Sequence, residues 1–549
     1  MRTLAPILGS FGLAAALLAG CGTVEEADPN VEPLDLRAQL IRLSVDLRGV
    51  HPSEAELVQL EAAEEPKVQY DAFADAWIED RRFFGRIKEV FNERYLLRTG
   101  ETYFGGLDGI DDRRMADIIA NEAFAMLEYV IANDLPYSYM VTADHTMANR
   151  ELAAYWNIEY PSEADGGWVE ARYDDERPHA GMLTMTTFWQ RYPSMGGNAN
   201  RHRANAISKV FLCDDYLSRP IVLNRAAVDQ LTIDPENAIN ANTGCQSCHA
   251  SLDPMAANFF GFFNYDAEEG IESTFYRPER EQDWRAYSGK PPGYYGRPTG
   301  NIPEFALELA NDSRFADCAV RTVWEGFTQR DLLDGDWPEV NDHVNTFVAS
   351  GQNVKELVLS IVKSPEYKAM AATDPELDDR LAGQKLVSPE QLSTIMADIT
   401  GYTWYFDGRD GLKNQSLGLP TLAGGIDSLF VTERSYTPSV GLVFIHERLA
   451  QAAAWYVARH DLDPERTNEA KMLKYVSIAD TPESNPEAFD AQIRYLYLAA
   501  TGKPLAEDAR EPAQLIEVWK TLYSVEASPT LAWAGVVSAV LRDPAIIFY

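Results

Sequence analysis

Basic residues are in short supply in this chain, with 48 Lys and Arg against 84 Asp and Glu and a formal charge of -36. A phosphate-binding surface must be basic, so nucleic acid is excluded as a partner. Long apolar runs are missing after the first twenty residues, so no later segment can cross a bilayer. Strict apolar–polar alternation is rare, which leaves strands a minor role. The chain also lacks a P-loop, a G-x-G-x-x-G after a strand, a G-x-S-x-G and an H-E-x-x-H, so the nucleotide and hydrolase chemistries those motifs carry have no foothold. Cysteine is down to five residues: Cys21, Cys213, Cys245, Cys248 and Cys318.

What is present begins at Met1-Arg2-Thr3, followed by an apolar stretch from Leu4 to Leu18 and then Ala19-Gly20-Cys21. A basic start, an apolar centre and small residues before a cut describe a secretory signal. Cysteine after Leu-Ala-Gly resembles a bacterial lipobox, in which Cys21 becomes the lipidated first residue. The stretch is short for a spanning helix, which needs ~20 apolar residues. Gly22 to Pro33 is acidic and contains proline, as a tether would.

Cys245-Gln246-Ser247-Cys248-His249 carries the chemistry. C-x-x-C-H is the attachment signature of a c-type haem, in which both thiols bond to the haem vinyl groups and the imidazole ligates the iron. One turn of helix separates the thiols, and His249 follows directly. A thioredoxin-like pair wants a βαβ setting, whereas residues 238–244 read as a loop. Structural zinc needs four ligands, and Cys213 and Cys318 stand isolated in sequence. A local disulfide is an alternative that leaves His249 without a role. With Cys21 on lipid and Cys245 and Cys248 on haem, Cys213 and Cys318 are left over. In an oxidising compartment they would pair; two separate buried thiols are the alternative.

At 549 residues, with 46% hydrophobic content, the chain suits about three domains of ~150 residues. Apolar spacing predicts a helix from Met115 to Val130, and helices stopped by glycine at Gln391–Gly401 and Gln492–Gly502. Gln39–Gly49 parallels Gln492–Gly502, and the stops at Leu357–Pro365 and Val536–Pro544 resemble each other, which suggests duplication of a helical unit. Two stretches rich in Gly, Pro and aromatics, 155–179 and 266–300, read as long ordered loops that wall a haem or a pocket. Asp331–Asp336 and Asp108–Asp112 are acidic, but neither makes a full calcium loop.

Several blocks together resemble the planctomycete cytochrome c group, extracytoplasmic proteins built from cytochrome-like domains. They are Thr142–Tyr155, Ala180–Met185, Phe211-Leu212-Cys213 with Arg219-Pro220, Cys245–His249 with Asp253-Pro254, Phe315–Cys318 and Val354–Pro365. The resemblance covers about residues 115–370. It departs where the family pattern has D-P-x-G and a later glutamate: Ala256 holds the glycine position and Phe263 stands near the glutamate, while Asn264-Tyr265-Asp266 is kept. The resemblance implies one covalent haem c with His249 as proximal ligand. Met185, in a family-like block, is the preferred distal ligand over Met182, Met195 and His202, and Met255 is too near His249 to reach the opposite face. Gly22 after Cys21 lacks the aspartate that retains some lipoproteins at the inner membrane, which favours the outer membrane.

The expected protein is mainly α-helical: signal peptide 1–20, tether 21–33, N-terminal helical module 34–140, cytochrome c-like haem domain 141–375 and C-terminal helical module 376–549. It would be anchored by lipid alone outside the cytoplasm, at the periplasm or cell surface. Electron transfer to a redox partner, drawn as a basic protein to the acidic surface, is the expected function. One alternative is a haem oxidoreductase with open iron and a distal group such as His145, His179, His202 or Arg203. Another is a helical scaffold that binds partners and keeps haem for structure.

Overall fold

The computed structural model describes residues 30–549 apart from 102–107, 157, 162–164, 195, most of 221–241 and 263–274. Cys21, Met195, Phe263 and Asn264–Asp266 lie outside the described residues, as do the signal peptide and most of the expected tether. The fold is mainly helical, 58% helix against 6% strand. No described helix is long and apolar enough to cross a membrane.

Helix ends follow local chemistry. The long helix Asp112–Ala132 starts where the Asp111 carboxylate accepts from the Arg114 N–H at 2.9 Å and ends at Asn133, as the apolar spacing predicts. Leu36–Arg48, Pro389–Thr400 and Pro486–Thr501 each run into a left-handed glycine, Gly49, Gly401 and Gly502, with φ of 69°, 76° and 70°. That conformation is cheap only without a Cβ. Each helix carries a glutamine at the same distance before its glycine: Gln39, Gln391 and Gln492. The repeated pattern therefore has three occurrences rather than two. Gln391 and Gln492 are fully buried and donate to the Val45 and Met472 carbonyls at 3.1 and 2.7 Å. The first and third helices meet, with Arg37 donating to the Gly502 carbonyl at 2.9 Å.

Two expectations change. Val31–Pro33, taken for the end of a tether, is a strand paired antiparallel with Ala369–Ala372. Residues 155–179, expected as a loop, hold two strands of a three-stranded sheet: Val169–Tyr173 lies between Thr146–Ala148 and Ile158–Glu159. Their alternation is too short to stand out from the surrounding Gly, Pro and Asp.

Buried residues on both sides of positions 140 and 375 belong to one apolar cluster, which extends from Leu40 to Ile547. At its heart a polar clasp joins distant segments. Asp46 accepts from the Lys385 ammonium, the Tyr367 hydroxyl and, at 2.7 Å, the Tyr549 hydroxyl. Lys385 and Asp46 are buried, and burial pulls Lys385 down to about 7 although Asp46 opposes the shift.

Cys213 and Cys318 form a disulfide with sulfurs 2.15 Å apart. It ties the end of helix Arg201–Leu212 to helix Ser313–Thr328. The bridge spans 105 positions of chain, and the C-x-x-C-H motif lies inside that span.

Candidate functional site

The motif occupies the first two turns of a helix, Thr243–Ala257. Asn242 caps it, its carboxamide oxygen accepting from the Gly244 and Cys245 N–H groups at 2.8 and 3.3 Å. Thr243 and Gly244, expected in a loop, are helical for that reason. A helix brings positions three and four apart onto one face. Cys245, Cys248 and His249 therefore share a face, and both thiols are free and partly exposed. Ala256 continues the helix, which alanine favours over glycine by ~1 kcal/mol.

His249 is held from behind. Its Nδ1 lies 2.9 Å from Asp253 Oδ1, one turn further along the helix. Asp253 is almost fully buried, and the same oxygen accepts from Arg201 Nε at 2.6 Å. Burial raises the Asp253 carboxyl, but the hydrogen bonds from His249 and Arg201 outweigh it and hold its pKa below the ordinary value. Among the described residues His249 Nε2 has no hydrogen-bond partner, and the imidazole is 20% exposed. The ring thus offers one nitrogen outward while the other is tied down.

The support behind the helix comes from several places. Helix Arg201–Leu212 packs along it, as does the hairpin Gly293–Tyr294/Arg297–Pro298 from the Tyr- and Pro-rich stretch. The described part of that stretch, expected as a loop, holds this hairpin and a short helix, Trp284–Tyr287. Gly293 is required there: a Cβ would sit 2.9 Å from the Arg297 carbonyl oxygen and 3.5 Å from Pro254. Tyr216 links the parts, its hydroxyl 2.7 Å from Ser251 Oγ and 3.1 Å from the Tyr295 hydroxyl. Beside it, Arg219 pairs with Asp214 and stacks 4.0 Å over the Tyr216 ring. Burial opposes the Arg219 charge, yet Asp214, Tyr216 and the nearby Cys248 sulfur keep its pKa above the ordinary value.

The remaining site expectations are scattered. Met182 and Met185 are fully buried in the main core, Met185 at the start of a short helix, Thr186–Arg191, packed on Asp112–Ala132. Nothing among the described contacts brings Met185 against His249. Met255 is buried on the motif helix itself, and His202 is exposed, its ring 6.0 Å from Tyr192. Arg203 is committed to the fold, donating to the Phe262 and Tyr192 carbonyls and to Asn200. His145 packs edge-on to Tyr129, while His179 Nε2 accepts from the Tyr173 N–H at 3.2 Å. Burial, then Arg177 and Arg172, pull His179 down to about 4. None of these groups is gathered with the motif into a distal acid–base set. In the acidic turn at Asp331–Asp336, Asp336 is buried and pairs with both Arg330 and Arg380.

Sequence reasoning missed Arg201 and the role of Asp253. The i, i+4 spacing of His249 and Asp253 was the available signal. Arg201 comes from another helix and left none. Among the described residues no group of three or more His, Cys, Asp or Glu could hold a bare metal ion. Compared with known protein families, curated proteins and solved structures, the chain matches none of them.

The donor set fits a haem. Two free thiols on one helical face and an imidazole with a free outward nitrogen are the groups that covalent attachment and axial ligation require.

Proposed function

We propose that this chain is a monohaem c-type cytochrome acting in electron transfer, anchored by lipid on Cys21 outside the cytoplasm. The observation that carries the reading is the arrangement on Thr243–Ala257. Cys245 and Cys248 are unpaired, and His249 presents Nε2 outward with Nδ1 held by Asp253. The Cys213–Cys318 disulfide supports an oxidising compartment. The resemblance of the surrounding blocks to the planctomycete cytochrome c group supports the same cofactor.

Haem bound here would supply a one-electron couple whose potential follows its axial ligands and the hydrogen bonds behind them. Cys245 and Cys248 would fix it, and His249 would ligate it. Asp253 holds the imidazole in one tautomer and orientation. The Tyr294–Tyr295 hairpin and the apolar back of the helix, Leu252, Met255 and Ala256, keep water from the rear of the site. The acidic surface would draw a basic redox partner.

The test is the optical spectrum of the full chain matured with a haem-attachment system, oxidised and reduced, with and without carbon monoxide. Covalent haem after denaturation and a low-spin spectrum indifferent to carbon monoxide are expected. A high-spin spectrum that shifts with carbon monoxide replaces electron transfer with the open-iron enzyme. Absence of covalent haem overturns the reading at its root.

A further inference from the structure

We propose that Asp253 is a positioning residue that sets the electron-donating strength of His249, with Arg201 acting against it on the same carboxylate oxygen. This rests on the haem reading and deepens it to the control of reduction potential.

The geometry is specific. Asp253 lies one turn beyond His249, its side chain 3% exposed, and Oδ1 receives both His249 Nδ1 at 2.9 Å and Arg201 Nε at 2.6 Å. A carboxylate behind an imidazole holds the proton on Nδ1, leaves the Nε2 lone pair free, and makes that nitrogen a stronger donor. A stronger donor stabilises the more oxidised iron and lowers the potential. Arg201 draws charge from the same oxygen and weakens its pull on the imidazole proton. It comes from the neighbouring helix, is 20% exposed, and also reaches the Gly197 carbonyl at 3.5 Å. The proximal ligand is therefore tuned by two groups of opposite sense on two packed helices. A plain Arg–Asp ion pair would not place an imidazole nitrogen on the shared oxygen.

The experiment uses the haem-loaded full chain and three variants, Asp253→Asn, Arg201→Gln and Asp214→Asn. The last removes the same charge from a separate ion pair, with Arg219, that does not touch His249. Midpoint potentials are measured by redox titration. The His249 Nδ1 proton resonance is followed in the diamagnetic ferrous state, with carbon monoxide added where needed. Asp253→Asn is expected to raise the potential more than Asp214→Asn and to move the Nδ1 resonance upfield. Arg201→Gln is expected to lower the potential. Equal shifts in the two aspartate variants with an unmoved resonance would mean that charge alone acts, which overturns the proposal. If Asp253→Asn holds no haem, Arg201→Gln decides, and a potential that does not fall overturns it. A wild-type chain without covalent haem overturns both readings, so the two failures are told apart by the haem stain.

Discussion

Two carboxylates in this protein receive several donors each, and their surroundings differ in one respect. Asp46 is closed in: Lys385 and Tyr367 are buried, and the partly exposed Tyr549 turns its hydroxyl onto the carboxylate. Asp253 is as deeply buried, but its partners His249 and Arg201 are each 20% exposed, and His249 turns its second nitrogen outward. A saturated buried network can only hold segments together. A network with one member left open at the surface can hold that member in place for something else. The difference separates a structural clasp from a ligand-presenting site, although both are built from an aspartate, a cation and ring side chains.

The largest effect should come from the open site and touch function alone. Replacing Cys245 and Cys248 together by alanine should abolish covalent haem, read by haem stain after denaturation. The melting profile of the haem-free chain should stay close to that of haem-free wild type, because both thiols are partly exposed.

Stability should rank the two carboxylates in the reverse order. Asp46→Ala strands a buried ammonium and should cost about 3–5 kcal/mol in denaturant unfolding. Asp253→Ala frees groups that can turn to water, and should cost about 1–2 kcal/mol. An equal cost for the two would break the distinction between a closed and an open network. Between them falls the disulfide. Changing Cys213 and Cys318 to serine should lower stability by about 2–4 kcal/mol, since the bridge closes a long stretch of chain.

The smallest effect is a slope with pH. Burial sets folded Lys385 at about 7, below its unfolded value of about 10.4. Between those values the unfolded chain binds more protons, so this group makes stability rise with pH across that window. Lys385→Met should flatten the rise in denaturant midpoints measured from pH 7 to 10. A slope unchanged by the substitution would show that Asp46 keeps Lys385 charged throughout.

Much of this molecule was legible along the chain because its signals are local. Helix Asp112–Ala132 follows from apolar spacing, and Gly49, Gly401 and Gly502 stop their helices because only glycine takes a left-handed backbone freely. The C-x-x-C-H signal is local in the same way, since one helical turn relates all its members. Strand Val31–Pro33 was missed because its partner Ala369–Ala372 lies far along the chain, and a short strand exists only by virtue of its neighbour. Strand Val169–Tyr173 was hidden among loop-forming residues. The distal candidates were chosen by residue type, and type does not say which methionines and histidines the packing has already used.

The sequence by itself determined the helical class, the helix stops and the common face of Cys245, Cys248 and His249, because spacings of three and four fix side-chain direction on a helix. Tertiary structure alone decided that Asp253 shares an oxygen with Arg201 and that Asp46 gathers Lys385, Tyr367 and Tyr549, and it chose the expected pairing of Cys213 with Cys318 over two separate thiols. These contacts join residues far apart in the chain. Which distant side chains share one buried oxygen depends on how whole helices pack, and no short stretch of residues carries that information.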